Sequence, residues 1–322
     1  MNRRSFVTLG IALLLGAAAG SAAPADPPRI AFLTPLAESA SLRQFFRQGL
    51  RELGYIEGKN INIEWRRADT GQQLQALADE LVKEKVDVIV TTGTPAARAA
   101  MQASATIPVV FASVGDPIVS GFAASLARPG RNGTGVSIVS TELYPKRVEF
   151  LHQLAPKARR ITYLTNSSNP IAARLLEEVE IAARKLGVRI QVRDARDAGE
   201  LDAVLRTLGK NRPEAILVGG DLLYLANMEK VADAVRKARV PAMFPYDDFH
   251  EYGALMSFSA SMGESGRLAA GYVDKILKGA KPAELPIQQI SRFELIIDLR
   301  LAREQGIKVP QEMLFRADKV IQ

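Results

Sequence analysis

One strand–helix pattern occurs twice in this chain, at an interval of 131 to 133 residues. Residues 29–34 (RIAFLT) return as residues 160–165 (RITYLT), 131 positions later. A long helical pattern follows each copy, and the two patterns end at Leu53-Gly54 and Leu186-Gly187, 133 positions apart. Glycine is the usual residue at a left-handed helix C-terminus. The repeat predicts two lobes of similar architecture, as does a length of 322 residues at roughly 150 residues per domain.

The order of elements after the first helix is also the same in both halves. Each half adds three apolar runs separated by helices, which cover residues 60–65, 86–90 and 107–111 in one half and 188–192, 215–218 and 240–244 in the other. Such alternation predicts an α/β fold of two doubly wound parallel-sheet lobes joined by a hinge. In sheets of this kind a ligand binds beyond the carboxyl ends of the strands, and two lobes can close over it.

The C-terminal part returns to strand and helix. It predicts strands at 254–258 and 293–297, helices at 263–278 and 299–305, and an extended linker at 281–286, where two prolines disfavour helix. We expect lobe 1 to comprise residues 26–138 plus about 251–290, and lobe 2 residues 139–250 plus about 291–322.

The glycine-rich run at residues 130–135 (GRNGTG) resembles a nucleotide-binding loop only superficially. It neither directly follows a predicted strand nor opens a helix, which a dinucleotide fingerprint requires. We interpret it as a flexible surface loop before the first crossing between lobes.

The first 25 residues have the pattern of an export signal. Arg3 and Arg4 precede an apolar run over residues 7–20, and an A-x-A cleavage pattern ends at Ala25. The apolar run is shorter than the roughly 20 residues that a membrane span needs, although an uncleaved anchor stays open as the alternative. The paired arginines also resemble a twin-arginine signal. We expect residues 1–25 to be a signal peptide and the mature protein to be periplasmic.

The composition excludes several classes of function. The chain has no cysteine and two histidines, so thiol nucleophiles and zinc–cysteine sites are absent and histidine-based metal sites are disfavoured. The net charge of +7 comes from bases interleaved with acids, which indicates a solvated surface rather than a nucleic-acid partner. No phosphate-binding P-loop, H-E-x-x-H or G-x-S-x-G motif occurs. We therefore expect a binding protein rather than an enzyme, without a cofactor or a metal.

Polar residues follow the predicted strands of lobe 1 and are candidates to hold a carboxylate. Thr94-Pro95 opens the third helix, where threonine suits the N-cap and proline the first turn, and the exposed N–H groups there attract an anion. Ser113 could donate to the same anion. Asp116 precedes Pro117 and fits either a ligand contact or, by preference, the start of a turn.

Candidates in lobe 2 suit the other end of an amino acid. Asp221 and Asp247 follow adjacent predicted strands, where a carboxylate could pair with an ammonium group. Their alternatives are a helix cap for Asp221 and a turn for Asp247. Asn166 could contact the ligand from the loop after residue 165. Tyr246 could cover the ligand or be a half-buried hinge residue.

Several short motifs occur in an order that resembles a known family. They are residues 49–55 (GLRELGY), 92–97 (TGTPAA), 113–117 (SVGDP), 253–255 with 266–270, and 281–282 with 285–286. The chain from residue 29 to 322 resembles the ABC-transporter substrate-binding proteins that include tryptophan- and phenylalanine-binding lipoproteins. The resemblance implies a periplasmic-binding-protein fold of the first type, with three crossings between lobes.

The same resemblance implies a monomer that delivers a small solute, favoured to be an amino acid, to a membrane permease. Gly115 and Asp298 depart from the expected threonine and asparagine, and the lipid-anchoring cysteine is missing. Ligand identity therefore stays open, with an aromatic acid or a purine as alternatives. A sensory protein that presents a solute to a membrane receptor is a second reading of the same features.

Overall fold

The computed structural model of the protein describes residues 26–35, 40–68, 71–138, 140–169, 171–210 and 213–322. The expected signal peptide, residues 1–25, lies outside these ranges. The strands in them are β1 (Arg29–Pro35), β2 (Asn62–Ala68), β3 (Val88–Thr92), β4 (Val109–Val114), β5 (Gly133–Ser137), β6 (Arg160–Thr165), β7 (Arg189–Asp194), β8 (Ala215–Val218), β9 (Ala242–Met243), β10 (Met256–Ala260), β11 (Gln288–Gln289), β12 (Phe293–Asp298) and β13 (Lys319–Ile321).

The helices in these ranges are α1 (Ala40–Glu52), α2 (Gly71–Lys83), α3 (Gly93–Ala103), α4 (Ser140–Leu154), α5 (Ala172–Lys185), α6 (Ala198–Leu208), α7 (Leu222–Ala226), α8 (Met228–Ala238), α9 (Met262–Leu277), α10 (Leu299–Gln305) and α11 (Gln311–Arg316). Two 3-10 turns cover Asp247–Tyr252 and Pro282–Glu284. None of the helices in the described ranges is long and apolar enough to cross a bilayer.

The first lobe is built on a parallel sheet with the strand order β11-β5-β4-β3-β1-β2. On one face, Phe46 of α1 and Ala270 of α9 pack with Phe32 of β1. On the other face, Ala97 of α3 packs with Leu33, again of β1. The sheet is therefore covered by helices on both sides, as a doubly wound lobe requires.

The second lobe is built on the parallel sheet β7-β6-β8-β9. A single parallel bridge between Phe244 and Ser257 links this sheet to a mixed sheet of β10, β12 and β13. β10 pairs antiparallel with β12, and Met256 and Ile297 are in the same apolar core as Leu217 of β8. The expected start of the returning lobe 1 segment at about 251 is therefore wrong, because β10 completes the sheet of lobe 2.

The glycine-rich run contains a strand that sequence reasoning missed. Residues 133–137 form β5, whose five residues are all buried, rather than a flexible surface loop. Gly135 has a φ of +133°, and a Cβ there would lie 2.3 Å from the carbonyl oxygen of Phe111. Glycine is needed at residue 135 because the backbones of β5 and β4 approach each other too closely there for a side chain to fit.

The chain changes lobe three times, as the resemblance implied. It passes from β5 to α4, from β10 to α9, and from β11 to β12. The predicted helix stops are also confirmed, since Gly54 and Gly187 have φ values of +90° and +69°. Asp298 caps α10 by accepting hydrogen bonds from the backbone N–H groups of Arg300 and Leu301.

Candidate ligand-binding cleft

The two lobes face each other at the carboxyl ends of their parallel strands. β5 ends at Ser137 just before α4 enters lobe 2, and the loop after β4 carries Asp116. The Oδ2 atom of Asp116 lies 3.8 Å from the Nη1 atom of Arg174, in the first turn of α5. This contact joins one lobe to the other, so the strand ends are brought together across a narrow cleft.

The lobe 1 side of the cleft is a row of small hydroxyl and glycine residues. The N-cap of α3 is Thr92 rather than Thr94, and the Thr92 hydroxyl donates to Thr34 Oγ1 at 2.8 Å. Thr94 is the second residue of α3, and its Oγ1 accepts the backbone N–H of Gly115 at 3.4 Å. The capping role expected for Thr94 is therefore wrong. Ser113, the next-to-last residue of β4, pairs with Thr92 and is buried.

Gly115 shapes the same edge. A Cβ at this position would lie 3.3 Å from Thr94 Oγ1, which is tight contact. Because residue 115 is glycine and not the expected threonine, its own backbone N–H can reach the Thr94 hydroxyl. The glycine also keeps a second hydroxyl-bearing side chain off this edge.

Asp116 makes the turn that was preferred for it. Its Oδ1 atom accepts the backbone N–H groups of Ile118 and Val119 at 2.9 and 3.1 Å. These hydrogen bonds hold the carboxylate in one orientation, and the second oxygen is the one that approaches Arg174. Asp116 is therefore oriented toward the opposite lobe by its own backbone turn.

Asp221 is occupied by its own lobe. Its Oδ1 atom accepts the N–H of Leu223 at 2.9 Å, which caps α7, and the Asn166 amide at 2.9 Å. Its Oδ2 atom accepts the Asn169 amide at 2.7 Å. The capping alternative is thus the observed role of Asp221. Asn166 and Asp221, both predicted candidates, are in direct contact.

Two tyrosine hydroxyls lie against a glycine at the end of β8. Tyr144 Oη accepts the backbone N–H of Gly220 at 2.6 Å. A Cβ at Gly220 would lie 3.1 Å from Tyr144 Oη and 3.2 Å from Tyr246 Oη, so only glycine leaves room for both. Burial, followed by the nearby Tyr144, raises the pKa of Tyr246. The Tyr246 phenol therefore acts here as a neutral hydroxyl.

A recess in lobe 2 opens beside these hydroxyls. Its walls combine aromatic rings with amide and hydroxyl groups, and they are formed by Tyr144, Tyr163, Thr165, Asn166, Asn169, Ala172, Leu175, Gly219, Gly220, Asp221 and Tyr224. Sequence reasoning found Asn166 and Asp221 here but missed Tyr144. Its position could have identified Tyr144, because it lies one turn into α4, the helix that follows the first crossing between lobes.

Arg147, one turn further along α4, was also missed. Its Nε and Nη2 atoms donate to the carbonyl oxygens of Phe258 and Pro245 at 2.8 and 2.9 Å, and its guanidinium lies 4.9 Å from the centroid of the Tyr144 ring. The side chain is buried, and its two hydrogen bonds connect the loop after β9 with β10.

Asp247 does not join the other candidates. It begins the 3-10 turn after Tyr246, and the charged groups that act on it are Glu294 of β12 and Lys319 of β13. Burial, ahead of these charges, raises the pKa of its carboxyl group. Its Oδ1 atom is buried without a hydrogen-bond partner. The structure thus supports neither an ion pair with a ligand nor proximity to Asp221 for this residue.

Comparison with known proteins agrees with this architecture. The chain is 25% identical over 270 residues to the "Tyrosine-binding protein" of Clostridioides difficile strain R20291, which covers 83% of this chain and 77% of that protein. A structure of an ABC domain from Streptococcus pneumoniae in complex with L-Trp matches with a TM-score of 0.83 at 26% identity, over 92% of this chain and 100% of that one.

A conserved domain protein of Vibrio cholerae matches with a TM-score of 0.84 at 27% identity, over 91% of this chain and 99% of that one. The two-lobe fold expected from the repeat is therefore confirmed. The sequence model described as "ABC transporter substrate binding protein" matches residues 35–321. Proteins of this kind bind a solute without converting it, which confirms the expectation of a non-enzyme. The chain belongs to the ABC transporter substrate binding protein family.

Proposed function

We propose that this protein is the periplasmic solute-binding component of an ABC uptake transporter and that it binds an amino acid between its lobes. The observation that carries the proposal is the contact of Asp116 with Arg174, which joins the loop after β4 of lobe 1 to the first turn of α5 in lobe 2. Two relatives support the ligand class, since one is named as a tyrosine-binding protein and another was solved with L-Trp.

The chemistry of the cleft suits an amino acid. In lobe 1, Ser113 and Thr94 and the backbone N–H groups that open α3 are donors for a carboxylate. In lobe 2, Asn166 lines a small recess with aromatic walls, and the Tyr246 hydroxyl lies beside Gly220, another residue of that recess. We propose these four side chains as ligand contacts. Asp221 and Asp247 are not among them, because Asp221 caps a helix and burial raises the pKa of Asp247, which disfavours its anionic form.

The remaining features of the proposal follow from the same role. We assign residues 26–138 plus about 261–290 to lobe 1, and residues 139–260 plus about 291–322 to lobe 2. The partners are a small solute and the transmembrane subunit of a permease. The protein acts as a monomer outside the cytoplasmic membrane after export by its N-terminal segment, and the lobes close on the ligand before docking.

Thermal unfolding of the purified chain tests the ligand class. The chain is first unfolded and refolded to strip bound solute, then heated with the common L-amino acids, aromatic acids, sugars and nucleosides. A ligand at 100 times its dissociation constant adds about 2.7 kcal/mol to the free energy of unfolding, a shift of several degrees. We expect the shift with one or more amino acids. A shift with only sugars or nucleosides would contradict the proposed ligand class.

The transport role needs a second measurement. Deletion of the gene should reduce uptake of the labelled amino acid that stabilises the purified chain, and the full-length gene should restore it. Unchanged uptake in the deletion strain would favour the sensory alternative.

A further inference from the structure

An amino acid in the cleft needs an anion for its ammonium group, and neither aspartate expected to supply it is available. The carboxylate of Asp221 accepts three hydrogen bonds within lobe 2. Burial raises the pKa of Asp247, which disfavours the anionic form that an ammonium group needs. This inference rests on the proposed function and concerns the residue that supplies the anion for the ligand's ammonium group.

Glu264 lies where the chain re-enters lobe 1 after β10. It is in the first turn of α9, and its backbone N–H donates to Oγ of the capping residue Ser261 at 3.4 Å. The backbone N–H of Ser261 donates in turn to the carbonyl oxygen of Arg292, in the third crossing segment, at 3.1 Å. The hydroxyl of Ser265 donates to the carbonyl oxygen of Ala112, next to Ser113. Glu264 is therefore held between two crossing segments and the carboxyl end of β4.

The side chain of Glu264 has an unmet need for a partner. Its Oε2 atom is buried and has no hydrogen-bond partner. A polar oxygen in this state is unfavourable, since it has lost water and gained no donor. The nearest arginines along the chain are engaged elsewhere: Arg267 pairs with Glu52 at 4.0 Å, and Arg292 pairs with Glu294 at 3.4 Å.

These observations lead to one assignment. We infer that Glu264 is the anionic partner of the ligand's ammonium group, with the carboxylate of the ligand held at the Ser113 edge of the same lobe. An ammonium group supplies the donor that the buried oxygen lacks, and the contact forms in a closed, dry cleft where charge-assisted hydrogen bonds are strong. Both charged ends of the ligand are then bound by lobe 1, and its side chain faces the recess of lobe 2.

The test compares amino acids with the same molecules lacking the amine. Refolded wild type, Glu264→Gln and Glu312→Gln are titrated by calorimetry with L-phenylalanine, L-tyrosine and L-tryptophan and with their desamino acids, 3-phenylpropionate, 3-(4-hydroxyphenyl)propionate and indole-3-propionate. Glu312 is the matched control, because it is an exposed glutamate in the first turn of α11. Thermal unfolding of the ligand-free variants verifies that each is folded.

We expect Glu264→Gln to weaken amino acid binding by about 10- to 100-fold and to leave the desamino acids unchanged or bound more tightly. Glu264→Asp, which withdraws the carboxylate, should weaken the amino acids to a smaller extent, and Glu312→Gln should change nothing. The ligand-free Glu264→Gln protein should unfold at the same temperature as the wild type or a higher one.

Three results would overturn the inference, and they are distinguishable. If the wild type binds an amino acid and Glu264→Gln binds it equally well, the assignment of Glu264 fails and the proposed function stands. The assignment also fails if amino acid and desamino acid lose affinity by the same factor, since the residue then acts through the shape of the cleft. If the wild type binds none of the common L-amino acids of the thermal screen, the proposed function fails and the assignment with it.

Discussion

The ion pair between Asp116 and Arg174 should stabilise the closed arrangement of the lobes, because it joins lobe 1 to lobe 2. The two side chains keep 35% and 51% of their exposure, and the charged atoms are 3.8 Å apart. At that separation two unit charges in water attract by about 1 kcal/mol. Exposed pairs of this kind are worth about 0.2–1 kcal/mol once side-chain entropy is included.

This energy translates directly into ligand affinity. If the pair forms only when the lobes are closed, its loss shifts the closing equilibrium by the same 0.2–1 kcal/mol, or about 1.4- to 5-fold in the dissociation constant. Asp116→Asn is the suitable change on one side, since the amide oxygen can still accept the N–H groups of Ile118 and Val119. Arg174→Gln removes the other charge.

The assay is a double-mutant cycle on the dissociation constant, measured by calorimetry at low and high salt. Each single variant should weaken binding 1.4- to 5-fold at low salt, the double variant should be no worse than either, and the effect should shrink as salt rises. The control pair is Glu180 and Arg184, 3.7 Å apart within α5 and similarly exposed, which cannot sense closure. Equal effects from both pairs, or additive losses in the cycle, would refute the interpretation of Asp116–Arg174 as an interlobe contact that favours closure.

Three further predictions concern residues of lobe 2. Gly220→Ala should lower ligand affinity and reduce stability by about 1–3 kcal/mol in denaturant unfolding, because the new Cβ displaces the Tyr144 hydroxyl from the backbone N–H it now accepts. Asp247→Asn should leave affinity unchanged and raise stability at pH 7. Burial raises the pKa of this carboxyl group, so the gain in stability should disappear as the pH falls through that raised value toward 3.8. A loss of ligand affinity in Asp247→Asn would instead indicate that Asp247 pairs with the ligand's ammonium group. Burial lowers the pKa of His250 from 6.5 to about 4, so the unfolded chain takes up the proton first. Stability should therefore fall by about 3 kcal/mol as the pH drops from 6.5 to 4, and His250→Gln should flatten that slope in pH-dependent unfolding.

The repeat made most of the fold predictable, because its strands and helix ends have local signals in the sequence, namely apolar runs and glycines at helix C-termini. The strands of both halves appear within a few residues of their predicted bounds, and Gly54 and Gly187 end their helices as expected. The errors concern pairing over long distances. β5 was missed because its glycines have no apolar signature, although they are required by its close approach to Phe111. β10 was given to the wrong lobe because only its pairing with β12 decides where it belongs.

The candidate site was less predictable for a physical reason that applies to any two-lobe α/β protein. Sequence reasoning searched the loops after strands, because ligands bind at the carboxyl ends of parallel sheets. In this chain the crossings between lobes also occur at that edge, so each helix that follows a crossing starts beside the cleft. Tyr144 and Arg147 of α4 and Glu264 of α9 are in the first two turns of such helices, where a helical pattern conceals them. The aspartates after strands, by contrast, satisfied neighbouring backbone N–H groups, since a short polar side chain after a strand is first of all a cap. The first turns of the helices that follow the crossings therefore belong to the search for ligand contacts, alongside the loops after the strands.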